Sequence, residues 1–262
     1  MNARHLYGLI GFPLSHSFSQ RYFNKKFVRE GFEGFSYCNF PIKDIGELQS
    51  LLEQQPYLCG FNVTVPYKEQ IIPYLDEMDS VATIAGAVNT VLIERSAKGL
   101  RLKGYNTDVY GFSRSLVKWF NSLDSDMPQK ALILGSGGAA KAVVCALNEL
   151  GIEANTVSRK SGNNIYKTYN QLNITDFYEH QLIINATPLG MFPNIHECPA
   201  IPYQYLTEKH FLYDLVYNPP KTLFMLKGRE QGALAVNGLQ MLHFQAEKAW
   251  EIWTENLLII II

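Results

Sequence analysis

Short apolar runs alternate along this chain with segments whose apolar residues recur every three or four positions. Leu6 to Ile10 reads as a first strand, and Gly11-Phe12-Pro13 as the turn that ends it. A helix follows with Tyr22, Phe23 and Phe27 on one face, stopped by Gly31. Phe35 to Phe40 reads as a second strand, Leu48, Leu51 and Leu52 as the apolar face of a second helix, and Gly60 to Val65 as a third strand. Ala85 to Leu92 reads as a turn into a further strand. Leu123 to Gln129 is the clearest loop, and the pattern restarts after it. Ala131 to Leu134 is a continuous apolar run of the kind a parallel strand buried on both faces requires. Val143, Val144, Leu147 and Leu150 mark the next helix, ended by Gly151. Asn155-Thr156-Val157, Leu182-Ile183-Ile184 and Phe211-Leu212-Tyr213 read as later strands. This alternation predicts an α/β fold with a parallel sheet.

Between Leu134 and the helix lies Gly135-Ser136-Gly137-Gly138-Ala139-Ala140. Strand, Gly-x-Gly-x-x-Ala and helix in that order form a dinucleotide-binding arrangement. Gly135 permits the tight turn, Gly137 lets the backbone approach a pyrophosphate, and Ala140 lets helix and strand pack closely. Helix N–H groups and the helix dipole favour the phosphate charge. An Asp or Glu at the end of the next strand would take the ribose hydroxyls of NAD. Here the residues are Ser158-Arg159-Lys160, and two cations suit a 2′-phosphate, so NADP(H) is expected.

A second polar feature is Asn62-Val63-Thr64-Val65-Pro66-Tyr67-Lys68. As a strand it would put Asn62 and Thr64 on one face and Val63 and Val65 on the other. Pro66 ends the ladder because it has no N–H to donate, and Lys68 follows. Convergent polar groups of this kind suit a small polyhydroxylated or carbonyl ligand, with a lysine placed to move a proton. An edge strand with one wet face and a solvated lysine fits the same residues.

Composition narrows the class. The 262 residues are 47% hydrophobic, enough for one large domain or two ordinary ones. A formal net charge of -1 gives no electrostatic reason to bind nucleic acid or an anionic membrane. Cys38, Cys59, Cys145 and Cys198 show no C-x-x-C spacing, so neither a metal site nor a disulfide framework is indicated, and free thiols in a cytoplasmic protein are expected. The N-terminal apolar run is broken by Gly8, Gly11 and Pro13, unlike a signal peptide, and the terminal stretch Leu257 to Ile262 is too short to span a bilayer. That tail is expected to extend or follow the last helix.

Several spaced motifs, from Gly8 to Trp250, give the chain a resemblance to the shikimate dehydrogenase family, which includes shikimate/quinate dehydrogenases. They are Gly11 to Ser19, Asn62 to Lys68, Ala85 to Thr90, Gly104 to Asp108, the glycine loop, Asn185 to Met191, Asp214 to Pro219, and Asn237 to Leu242 leading to Gln245. The resemblance implies two α/β domains. An N-terminal substrate domain would comprise residues 1–105 with C-terminal helices from 237–262 returning to it, and a Rossmann-type, doubly wound NADP domain residues 106–236. It implies an NADP-dependent oxidoreductase acting on a CH–OH group, which reduces 3-dehydroshikimate reversibly to shikimate in aromatic amino-acid (chorismate) biosynthesis.

The resemblance also implies roles. Lys68 and Asp108 correspond to the catalytic pair. Ser17 and Ser19, with Tyr217 nearby, correspond to the groups on the substrate carboxylate. Asn62, Thr64, Asn89 and Gln245, with Asp108, correspond to those on the ring hydroxyls. Gly135, Ser136, Gly137, Gly138, Ala139, Ser158, Arg159, Thr187, Leu215 and Gly238 correspond to the cofactor contacts, and no metal is implied. Structural roles remain open for some: Ser17 or Ser19 as a cap of the helix that follows, and Thr107 or Asp108 as another cap. Three departures stand out. Gln20 replaces the family's proline, Ser158 and Lys160 flank Arg159 without the usual second arginine, and Asn237 replaces an aspartate. The expected partner is a small-molecule substrate, with no nucleic acid or membrane, in a monomer or homodimer. Alternatives are an NAD-preferring quinate/shikimate dehydrogenase, a dehydrogenase of folate-type substrates, and a non-catalytic metabolite-binding regulator on the same fold.

Overall fold

In the computed structural model, which describes residues 5–14, 17–97 and 99–258, two six-stranded sheets follow one another along the chain. The first half runs β1 (His5–Gly11), α1 (Phe18–Arg29), β2 (Phe35–Pro41), α2 (Leu48–Gln54), β3 (Leu58–Val63), β4 (Glu77–Met78), α3 (Ser80–Ala85), β5 (Thr90–Ser96) and β6 (Gly99–Tyr105). The second runs α4 (Thr107–Leu123), β7 (Lys130–Leu134), α5 (Gly138–Glu149), β8 (Glu153–Ser158), β9 (Lys167–Thr168), α6 (Ile174–Glu179), β10 (Leu182–Asn185), β11 (Phe211–Asp214), α7 (Leu223–Glu230), β12 (Leu234–Asn237) and α8 (Leu239–Leu258). Two compact units result. One holds the described residues up to Thr107 and those from Ala246 on; the other is Asp108–Gln245.

The first sheet is mixed, in the order β2-β1-β3-β5-β6-β4. The β1-α1-β2 crossover makes β1 and β2 parallel, while β3, β5 and β6 pair antiparallel. Both faces of β1 are buried. Leu6 and Ile10 pack with Phe61, Val63, Val88 and Val91 on one side. Tyr7 and Leu9 pack on the other with Phe23 and Phe27 of α1 and Ala246, Ala249, Trp250 and Trp253 of α8. That double burial is why β1 reads as an unbroken apolar run. Gly60 makes the α8 contact possible. A Cβ there would overlap the Trp253 indole and lie 2.9 Å from the Val91 carbonyl, to which Trp253 Nε1 donates at 3.0 Å.

The second sheet is wholly parallel, in the order β12-β11-β10-β7-β8-β9. The order reverses between β7 and β10, so the loop leaving β7 opens at a topological switch point. Leu132, Leu134, Ile183 and Leu212 of its central strands are buried with Phe177, Phe224 and Met225.

One expected strand is shifted. β3 ends at Val63, and the chain turns at Thr64, whose carbonyl accepts from Tyr67 N at 2.9 Å. Val63 is therefore buried at 2% exposure while Val65 stands 69% exposed, not on a shared buried face. The two-residue alternation does not carry past Thr64, where the strand gives way to the turn. The Ile259 to Ile262 part of the expected helical tail, together with Arg4, Ser15 and His16, lies outside the described residues.

Replacing Gly60 with alanine should lower unfolding free energy by about 1–3 kcal/mol through the collision with Trp253. Denaturant titration of the variant and the parent chain measures it.

Candidate active site

The start of α1, the strand β2, the end of β3 and the turn before β5 bring the candidates Ser19, Asn62 and Asn89 of the first unit into one hydrogen-bonded chain. Ser17 occupies the N-cap position of α1 with extended backbone (φ -64°, ψ 126°), yet it makes no capping bond. Its Oγ is buried without a partner among the described residues. Ser19 lies in the first turn and donates to the hydroxyl of Tyr37 on β2. Tyr37 donates to Asn62 Oδ1 at 2.8 Å. The Asn62 amide donates to Thr90 Oγ1 at 3.0 Å and to the Asn89 carbonyl at 3.2 Å. Asn89 Oδ1 accepts the Thr107 backbone N–H at 2.7 Å, and its Nδ2 donates to Thr107 Oγ1 at 3.0 Å. Complete burial pushes the Tyr37 hydroxyl well above the usual phenol range, against the Ser19 bond, so it stays a neutral relay.

Sequence reasoning missed Tyr37. Its signal was faint: one aromatic in a strand, where packing is the ordinary explanation, and it does stack on Phe23 at 4.7 Å. The capping role left open for Thr107 is settled differently. Thr107 begins α4, and its first N–H is taken by Asn89 from another element.

Thr64 N donates to the Ile10 carbonyl at 2.9 Å, holding the turn against the end of β1. Lys68 is half-buried, and its carbonyl accepts Val88 N at 2.8 Å, so the backbone beneath the candidate proton carrier is pinned. The other candidates lie in the second unit. Asp108, 7% exposed, sits in the first turn of α4. Gln245, 8% exposed, is on α8 and donates to the Leu242 carbonyl at 2.9 Å. Gly111 lets these two helices meet, since a Cβ there would lie 2.8 Å from the Met241 carbonyl and 3.0 Å from Gln245 N. Tyr217 is half-buried after β11, and burial raises its hydroxyl.

The loop at the switch point fits a dinucleotide. Gly135 has φ +115°, and its N–H is fixed by the Val157 carbonyl at 2.8 Å. Gly137 is the N-cap of α5, and a Cβ built there meets nothing within 4 Å, which leaves the helix N-terminus open to a pyrophosphate. The first turn of α5 carries no acid. Ser136 and Ser158 hydroxyls lie 3.3 Å apart, joining the glycine loop to the end of β8. Arg159 is exposed beside them and Tyr169 lies within its field. Gly238 is needed for a close approach, because a Cβ would overlap the Leu215 carbonyl. Asn237, where the resemblance led to an aspartate, accepts Leu239 N at 3.1 Å and donates to the Pro220 carbonyl at 2.9 Å. The donor bond is one an aspartate could not make.

Behind Thr187 and Leu215 lies a buried carboxylate that sequence reasoning did not single out. Asp214, at the end of β11, is fully buried. It accepts Thr222 Oγ1 at 2.5 Å, Asn185 Nδ2 at 2.9 Å and Val216 N at 3.0 Å. Burial pushes its carboxyl up to about 6 in spite of these donors.

A profile of the shikimate dehydrogenase substrate binding domain matches residues 9–91. A shikimate dehydrogenase (NADP(+)) of Desulforamulus reducens is 34% identical, over 94% of this chain and 89% of that protein. The crystal structure of a Thermus thermophilus shikimate 5-dehydrogenase with NADP(H) and shikimate is 30% identical, with TM-score 0.79 over 96% of this chain and 94% of that one. A quinate dehydrogenase of Corynebacterium glutamicum in complex with NAD is 27% identical, with TM-score 0.81 over 96% and 94%.

The raised Asp214 carboxyl has a signed consequence. Its folded value, about 6, lies above the 3.8 of an unperturbed aspartate, so the folded state holds the proton more tightly. That contribution to stability is complete below about pH 4 and is lost as pH rises through about 6. The melting temperature of Asp214→Asn relative to the parent chain should therefore rise across this window, which a calorimetric pH series reads directly.

Proposed function

The chain belongs to the shikimate dehydrogenase family, and on that premise we propose that it reduces 3-dehydroshikimate reversibly to shikimate with NADPH, a step of aromatic amino-acid biosynthesis. One observation carries the reading: a half-buried lysine soon after a strand that carries the buried amide of Asn62, and a glycine loop at a sheet's switch point, occur in the same chain.

Bound NADPH supplies the hydride. Gly135, Ser136, Gly137, Gly138 and Ala139 would hold its pyrophosphate, and Ser158 with Arg159 its 2′-phosphate. Thr187, Leu215 and Gly238 would hold its nicotinamide end. As negative charge grows on the substrate carbonyl oxygen, the Lys68 ammonium stabilises it and delivers a proton. In the oxidation direction the neutral amine of Lys68 takes the proton from the alcohol. Asp108, a buried residue in the first turn of α4, is the residue that the family pattern pairs with Lys68.

Ser17, Ser19 and Tyr217 would bind the substrate carboxylate. The buried Ser17 hydroxyl, without a partner among the described residues, supports this role, since a buried hydroxyl is costly to leave unbonded. Asn62, Thr64, Asn89 and Gln245 would hold the ring hydroxyls. Both N–H groups of Asn62 are engaged and its Oδ1 has accepted one bond, so its remaining capacity is to accept from a ring hydroxyl. Ser17, Ser19, Asn62, Thr64 and Asn89 of the substrate assignments fall in the N-terminal unit, and Tyr217, Gln245 and all the cofactor assignments in the second.

The likeness to an NAD-bound quinate dehydrogenase makes an NAD- and quinate-using enzyme the second reading, and Arg159 without an acid beside it in sequence opposes it. Among the described residues no helix is long and apolar enough to cross a membrane, and all four cysteines are free. A reducing cytoplasm, and a monomer or homodimer, suit such a chain.

Purified protein with shikimate and NADP should gain absorbance at the reduced-nicotinamide band, faster than with NAD or with quinate. Folded protein that gains none refutes the assignment. Lys68→Ala should lower kcat by about 10²- to 10⁴-fold with KM for shikimate changed far less. Arg159→Ala should raise KM for NADP about ten-fold or more and leave that for NAD nearly unchanged.

A further inference from the structure

Three segments meet on the Asp214 carboxylate, and two of them carry residues assigned to the cofactor. The loop after β10 is tied by Asn185. Its Nδ2 donates to Asp214 Oδ1 at 2.9 Å, while its Oδ1 accepts Thr187 N at 3.0 Å and Thr187 Oγ1 at 2.6 Å. The loop after β11 is tied by Val216 N, one residue past Leu215, and Leu215 N in turn donates to the Asn185 carbonyl at 2.9 Å. The start of α7 is tied by Thr222, its N-cap, whose hydroxyl donates to Asp214 Oδ2 and accepts Met225 N at 3.3 Å. Asp214, Asn185 and Thr222 are each 0% exposed, so their amide, hydroxyl and carboxylate groups have no water to turn to. A fully buried carboxylate is an expensive way to hold a loop unless the position it fixes matters.

We infer that Asp214 is a positioning residue for the dinucleotide: through Asn185, Val216 N and Thr222, which closes the loop after β11, it sets the backbone of the two loops that present Thr187 and Leu215 to the cofactor. This rests on the dehydrogenase reading. It touches neither substrate nor cofactor itself, and Asp214→Asn keeps its size while replacing Oδ2, the acceptor of the Thr222 hydroxyl.

Equilibrium titration of NADP, read by protein fluorescence without substrate, tests it. Asp214→Asn should weaken NADP about ten-fold, the scale of one charge-assisted hydrogen bond. KM for shikimate at saturating NADP should move less than about two-fold. Asn185→Ser should weaken NADP similarly, and the double variant no more than the worse single one, since both act on one path. Thr222→Val should lose affinity and Thr222→Ser recover it, which keeps a test available if Asp214→Asn does not fold. Wild-type NADP affinity in folded Asp214→Asn, multiplied losses in the double variant, or equal losses in both Thr222 variants would overturn the inference. A parent chain that binds no NADP would instead overturn the dehydrogenase reading.

Discussion

A buried amide must have all its hydrogen-bonding groups satisfied, and at Asn89 that demand organises the N-terminal unit. One side chain, 3% exposed, takes the first N–H of α4 and engages Thr107, while its carbonyl accepts from the Asn62 amide and from Val63 N at 2.8 Å. The end of β3, the start of β5 and the entry to α4 are thereby fixed to one another. Asn62 carries the constraint on to Tyr37, and Tyr37 to Ser19 at the head of α1. Partly satisfied networks of this kind are costly, and fully satisfied ones favour a single arrangement. The polar wall is rigid because of bonds within the protein, which is what preorganisation for a polyhydroxylated ligand requires.

The second unit solves a parallel problem with a charge. Its cofactor loop relies on glycines for close approach and on a helix N-terminus for electrostatics, so few side chains are left to anchor the neighbouring loops. Asp214 does that from beneath. The cost of its burial shows in the carboxyl being raised even with three donors around it. Amides suffice in one unit; in the other a carboxylate gathers three segments, since two oxygens accept more bonds than any amide.

Much of this was legible in the sequence where local chemistry decides it. Gly31 and Gly151 were read as helix stops, and both adopt φ +73°. The run from Ala131 to Leu134 is a central parallel strand, and the glycine loop leaves it at the switch point. The end of β3 lies two residues earlier than the alternation suggests, because the chain turns at Thr64 even though Thr64 N and the Val65 carbonyl still bond at the end of β1. Tyr37 and Asp214 were invisible as site-builders for a different reason. Their partners are distant in sequence, Asn62 for one and Asn185 for the other, and no local pattern marks a contact across that separation. Asn237 is intermediate: its departure from the family pattern was plain, but that it donates to Pro220 depends on the turn around it.

The packing of α8 on β1 has a bearing on how the chain is made. Tyr7, Phe23 and Phe27 are made early, yet their core is closed by Ala246, Ala249, Trp250 and Trp253, which follow them much later in the sequence. A ribosome adding roughly 5–20 residues per second exposes those aromatics for many seconds before the residues that cover them exist. Residues 108–245, made in between, group as a unit of their own. The part synthesised first is therefore completed last, and through that interval the nascent protein carries an open aromatic face for which a chaperone or an aggregate would compete.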